Sequence, residues 1–149
     1  MTIHEFDPEI YPVKLWIVVD EDDSLCDMFK YKVNNKPIEL DDEDESDWIA
    51  STSNMVVKND TKKYGVIISL NNYREIEPKY MAHEACHFTN YVYNYIGAKE
   101  VDLGGEQHAY FLDWTVGCID SVVKTIKSNN KMTTKKTPKM PKKGTGKKC

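Results

Sequence analysis

The chain has no run of apolar residues long enough to cross a bilayer as a helix. Its opening, Met1-Thr2-Ile3-His4-Glu5-Phe6-Asp7, has neither a basic start nor an apolar segment, so no secretory signal is read there. The expectation is a cytoplasmic protein with no membrane partner. The four cysteines, Cys26, Cys86, Cys118 and Cys149, form no CxxC pair, and in a reducing compartment they read as free thiols. Internal repeats are lacking too. The acidic run from Glu39 to Asp47, with seven acids in nine residues, lacks the alternating ligands and central glycine of an EF-hand loop. It reads as a solvated, self-repelling loop, with a calcium site or a charge contact to the basic tail as the sharper alternatives.

What is present suits one soluble domain. The chain has 149 residues, 40% hydrophobic and 30% charged, enough for a single core. Charge is divided unevenly along it. From Ser128 onward there are eight lysines and no acid, which leaves 12 basic and 24 acidic residues before that point. The expected organisation is a domain over residues 1–128 and a disordered lysine-rich tail over 129–149. Lysine without interleaved aromatics or arginines argues against base-specific reading. The tail reads as a solubilising appendage, a docking tail for acidic proteins, a remnant of expression, or a weak, salt-dependent, non-specific grip on nucleic acid.

Periodicity orders the elements. Residues 11–20 alternate as a strand, with Val13, Leu15, Ile17 and Val19 on one face. Asp20 to Ser24 offers caps for a helix to about Lys32, closed by a turn at Asn34-Asn35-Lys36-Pro37. Trp48–Val57 and Lys63–Leu70 read as two further strands joined by a turn at Asn59-Asp60-Thr61. Pro78 is placed to open a helix that stops at Gly97, and a second helix runs from Gly105 or Glu106 to about Lys127. The fold class expected is α+β, a small and mostly antiparallel sheet packed on these two helices.

The first long helix carries His83-Glu84-Ala85-Cys86-His87. On a helical wheel Met81, Ala85, Phe88, Val92 and Ile96 gather as a core face, while His83, His87, Asn90 and Asn94 face the other way. Two imidazoles one turn apart can reach one zinc ion. Glu84 lies about 100° round from His83, a poor direction for a third ligand but suited to taking a proton from water attacking a carbonyl. This is why HExxH carries hydrolytic chemistry. Cys86 points away from His87 and reads as packing rather than as a ligand.

The third ligand must come from elsewhere. The metzincin pattern would need Gly at position 90 and His at 93, and the chain has Asn90 and Tyr93. Glu106 and His108, on the second helix, are the next candidates. His108 falls inside the apolar arc of Leu112, Val116, Ile119, Val123 and Ile126, and Glu106 falls at its margin. Position alone does not choose between them.

His83-Glu84-x-x-His87 followed after 18 residues by Glu106 resembles the gluzincin branch of the zincin metallopeptidases. The stretch from Met81 to Ile119, with Glu106-Gln107-His108-Ala109-Tyr110 opening the second helix, is also similar to small zincin-type peptidases encoded by bacteriophages. The resemblance covers about forty residues. It implies a minimal zincin-like domain holding Zn2+ on His83, His87 and Glu106, with Glu84 as general base and a peptide or protein as substrate. It also implies that Val66–Leu70 is the sheet edge beside the cleft, where a peptide could pair. If the chain is phage-encoded, its place is the host cytoplasm or the virion. The pattern departs from the family where an Asp one turn beyond the Glu ligand would stand, because that position is Tyr110; Asp113 follows a turn later. Tyr110 either assists catalysis, by donating to an oxyanion or holding a ligand, or packs as an ordinary aromatic. The alternatives to a peptidase are a catalytically inactive zincin fold serving as a virion component, inhibitor or binding module, and a nucleic-acid-associated protein carried by its tail.

Overall fold

The structure, a computed structural model, describes residues 1–40, 48–98 and 105–134, with side chains described as far as residue 129. Of the acidic run from Glu39 to Asp47, named as a candidate calcium site, residues 41–47 lie outside the described residues, as does the lysine-rich segment after Thr134. The fold is α+β. Its strands are β1 (Thr2–Phe6), β2 (Lys14–Val19), β3 (Phe29–Tyr31), β4 (Ala50–Thr52), β5 (Val56–Lys58) and β6 (Tyr64–Leu70). Its helices are α1 (Ser24–Met28), α2 (Pro78–Ile96) and α3 (Glu106–Thr134).

The sheet runs β1-β2-β6-β5-β3, and β4 lies beside β6 on the same side as β5. Only the β2–β6 pair is parallel; the other pairings are antiparallel. Val66–Leu70 is therefore the centre of the sheet and not its edge, a correction with a direct physical reason. The apolar run of β6 is buried on both faces, which is the pattern of a central strand. The edge next to α2 is β4, which pairs with β6 alone among the described strands.

Two cores explain the burial of β2 and β6. Leu15, Ile17, Val66, Ile68 and Leu70 face the long helices, where they meet Met81, Ala85, Phe88, Val92, Ile119 and Val122. Trp16, Val18 and Ile67 face the other way, onto Leu25, Phe29, Ile38 and Val56. This second core also accounts for the early end of α1. Phe29 is fully buried, its ring centroid 4.9 Å from that of Trp16, and its backbone pairs with Lys58. The expected helix to Lys32 therefore gives way at Phe29 to a strand, because packing outweighs helix propensity there. Trp48–Val57 likewise divides into β4 and β5, each taking a different stretch of β6 as partner. Thr2–Phe6, not foreseen as a strand, extends the sheet beyond β2.

The α2 boundaries match the sequence signals. Pro78 opens the helix, and Gly97 closes it at φ 72° with its N–H on the Asn94 carbonyl and the Ala98 N–H on that of Tyr93. The helix α3 packs on α2 through Phe111, whose ring lies 5.4 Å from Phe88, and through Trp114. It continues past the expected end near Lys127 to Thr134, into the segment expected to be disordered. Ser128-Asn129-Asn130 holds no proline or glycine, and an established helix propagates through weak formers at small cost. Among the described residues no helix is long and apolar enough to cross a membrane.

Candidate metal and catalytic site

The helix α2 lies across the sheet with Tyr95 near Tyr64, at the start of β6, and Glu84 near Thr52, at the end of β4. Its buried positions are Met81, Glu84, Ala85, Phe88, Thr89, Val92 and Tyr93. This differs from the sequence reading in five places, two of which are the burial of Thr89 and Tyr93. Glu84 is inside, Ile96 is 39% exposed, and Cys86 is exposed rather than packed. The wheel assumes one buried face, whereas α2 is covered on two sides, by the sheet and by α3, so its buried arc is wider and rotated.

His83 and His87 are both exposed, and their Nε2 atoms lie 3.1 Å apart. At that distance either one neutral ring donates to the other, or the two lone pairs converge on a shared cation. Two nitrogens bound at about 2.0–2.1 Å to a tetrahedral zinc ion would lie about 3.3 Å apart. The pair therefore fits two positions of such an ion, with solvent access on the open side.

Glu84 is 5% exposed, the one carboxylate among the buried described residues. Its Oε2 accepts a hydrogen bond of 2.6 Å from Thr52 Oγ1, which also lies 3.3 Å from the Glu84 carbonyl oxygen. No cation pairs with this carboxylate among the described residues. A polar side chain buried in a helix between sheet and neighbouring helix needs a partner, and the Thr52 hydroxyl supplies it. Thr52 was not singled out by the sequence. One threonine in a short polar strand carries no signal until the sheet shows which strand lies against α2.

The remaining candidates are spread over α3. Glu106 is exposed on its first turn, and Asp113 is exposed two turns on. His108 is half-buried, its ring centroid 5.2 Å from that of Tyr93, and its Nε2 is buried without a hydrogen-bond partner. Tyr110 is 69% exposed and lines a groove with Pro8, Ile10, Tyr11, Phe111 and Trp114, whose walls include neither histidine nor Glu84. Among the described residues no three His, Cys, Asp or Glu side chains gather closely enough to hold a metal ion. The structure thus brings together His83 and His87, seats Glu84 next to them against β4, and does not bring Glu106, His108 or Tyr110 to the pair.

No protein-family model matches the chain, and neither does any curated protein or solved structure.

Proposed function

We propose that the chain is a zinc-dependent peptidase that hydrolyses peptide bonds with Glu84 as general base. The observation that carries this reading is the pairing of two converging, exposed imidazoles with a buried carboxylate on the adjoining face of the same helix. His83 and His87 would hold the metal through Nε2. Glu106 is the third ligand implied by the resemblance, and its part in the site is a question for the variant Glu106→Ala. Bound zinc supplies Lewis acidity at neutral pH.

The chain's own groups divide the rest of the work. Thr52 holds Glu84 Oε2, which leaves Oε1 to accept a proton from the attacking water and to return it to the leaving amine. The strand β4, unpartnered on its outer side among the described strands, offers backbone groups to which an extended peptide can add. Its end at Thr52 lies at Glu84, so a peptide on that edge would bring a carbonyl to the carboxylate.

The test compares wild type with Glu84→Gln for zinc content and for cleavage of a peptide library. The variant should keep the metal and lose cleavage by about 10²–10⁴-fold. Zinc binding in both with cleavage in neither would favour the alternative of an inactive zincin-like binding protein.

A further inference from the structure

The walls that hold Glu84 continue past it. One turn beyond His87 on α2 is Tyr91, followed by Asn94 and Tyr95; two and three residues beyond Thr52 are Asn54 and Met55. These side chains and Lys32 enclose a depression of about 390 Å³. The Lys32 Nζ lies 5.3 Å from the centroid of the Tyr95 ring and 5.9 Å from that of Tyr64. The two rings are themselves 5.9 Å apart, so the ammonium lies beside a pair of aromatic rings, of which Tyr95 lines the depression.

Lys32 is exposed, and its ammonium meets tyrosine rings and solvent rather than any carboxylate among the described residues. That leaves the ammonium open to a carboxylate brought by a ligand. Asn54 and Asn94 also line the depression, and a side-chain amide can donate to a carboxylate. A depression lined by one cation, two amides and tyrosine rings is complementary to a carboxylate.

Distance ties this cavity to the candidate site. Tyr91 and Asn94 stand about 6 and 11 Å along the helix from His87, at 1.5 Å per residue. An extended peptide covers that span in two or three residues. We infer that Lys32, with Asn54 and Asn94, forms a specificity subsite for a carboxylate two or three residues from the bond addressed by Glu84. The carboxylate is that of a Glu or Asp side chain or of the peptide's own C-terminus. The inference rests on the peptidase reading for the position of the bond, but the subsite itself requires only that a peptide binds.

The test uses the full chain in two arms. In the first, wild type and Lys32→Glu are incubated with a randomised peptide library and the cleaved bonds are read by mass spectrometry. In the second, the Glu84→Gln protein, with and without Lys32→Glu, is applied to an array of randomised peptides with free and amidated C-termini. Wild-type Lys32 should enrich acidic residues, or free C-termini, at a fixed distance by roughly tenfold, and Lys32→Glu should abolish or reverse that preference. The tail lysines are the same in both proteins, so only a preference that follows residue 32 counts. Loss of the preference on amidated peptides alone identifies the C-terminal carboxylate as the ligand; its persistence identifies the side chain. A preference in the array with no cleavage in the library supports the subsite and overturns the peptidase reading. Cleavage that is indifferent to Lys32→Glu overturns the subsite and leaves the peptidase reading intact. No cleavage and no preference overturns both. The backbone N–H of Lys32 bonds to the Met55 carbonyl whatever its side chain, so the variant should fold, and its melting curve verifies this.

Discussion

The Thr52 hydroxyl on β4 donates to the Glu84 carboxylate on α2 across 2.6 Å, joining the sheet's edge to the helix that carries the histidine pair. The contact links residues 32 apart in sequence and is made inside the protein, where Glu84 is 5% exposed. It serves both stability and the proposed chemistry, because it ties the strand to the helix and fixes one oxygen of the carboxylate.

Thr52→Val keeps the shape of the side chain and removes the donor. The buried carboxylate then has no partner, which should cost about 1–3 kcal/mol in denaturant unfolding, whereas Thr52→Ser should retain most of the stability. In a Glu84→Gln background the cost of Thr52→Val should differ from that in wild type, since the two side chains are in direct contact. Equal costs in the two backgrounds would mean that the hydroxyl acts by packing.

Gly65 pairs with Lys14 where β6 passes under the Trp16 ring, and a Cβ there would collide with the Lys14 carbonyl oxygen and that ring. Gly65→Ala should destabilise the fold by about 1–3 kcal/mol, with a lowered denaturant midpoint. An unchanged midpoint would mean that β2 and β6 approach each other less closely than described.

Burial raises the Cys118 thiol from its ordinary pKa of 9.0 to about 11. The folded chain therefore keeps this proton at a pH where the unfolded chain has lost it. The resulting stability is fully present below pH 9 and is lost as pH rises through about 11. Wild type should lose stability between those values relative to Cys118→Ala. In the folded protein iodoacetamide should modify exposed Cys86 long before Cys118, as read by mass spectrometry.

Local signals in the sequence carried much of this fold. Pro78 and Gly97 act through their own backbone restrictions, so the ends of α2 were legible without knowledge of anything else. The alternation of Val13, Leu15, Ile17 and Val19 likewise marked β2, although Trp16 and Val18 on its other face belong to a second core rather than to a solvent side. What stayed hidden depends on partners distant in sequence. Phe29 ends α1 because Trp16 and β5 are there to receive it. Glu84 is buried because β4 crosses α2 at Thr52, and a wheel drawn for one helix contains no neighbouring strand. The histidine pair was legible because i and i+4 are neighbours on any helix. Which side chain on α3 could join it was not, because that depends on how far along α2 the start of α3 lies.

The central claim, a zinc ion on His83 and His87, is tested most directly by elemental analysis of the purified wild type beside His83→Ala, His87→Ala and Glu106→Ala. About one zinc per wild-type chain is expected, with loss in either histidine variant; weakened binding in Glu106→Ala would add that residue as the third ligand. Zinc kept in full by Glu106→Ala would turn attention to His108 as the third ligand. A wild type that binds no zinc when it is supplied, or a His83→Ala protein that keeps all of it, would contradict the site.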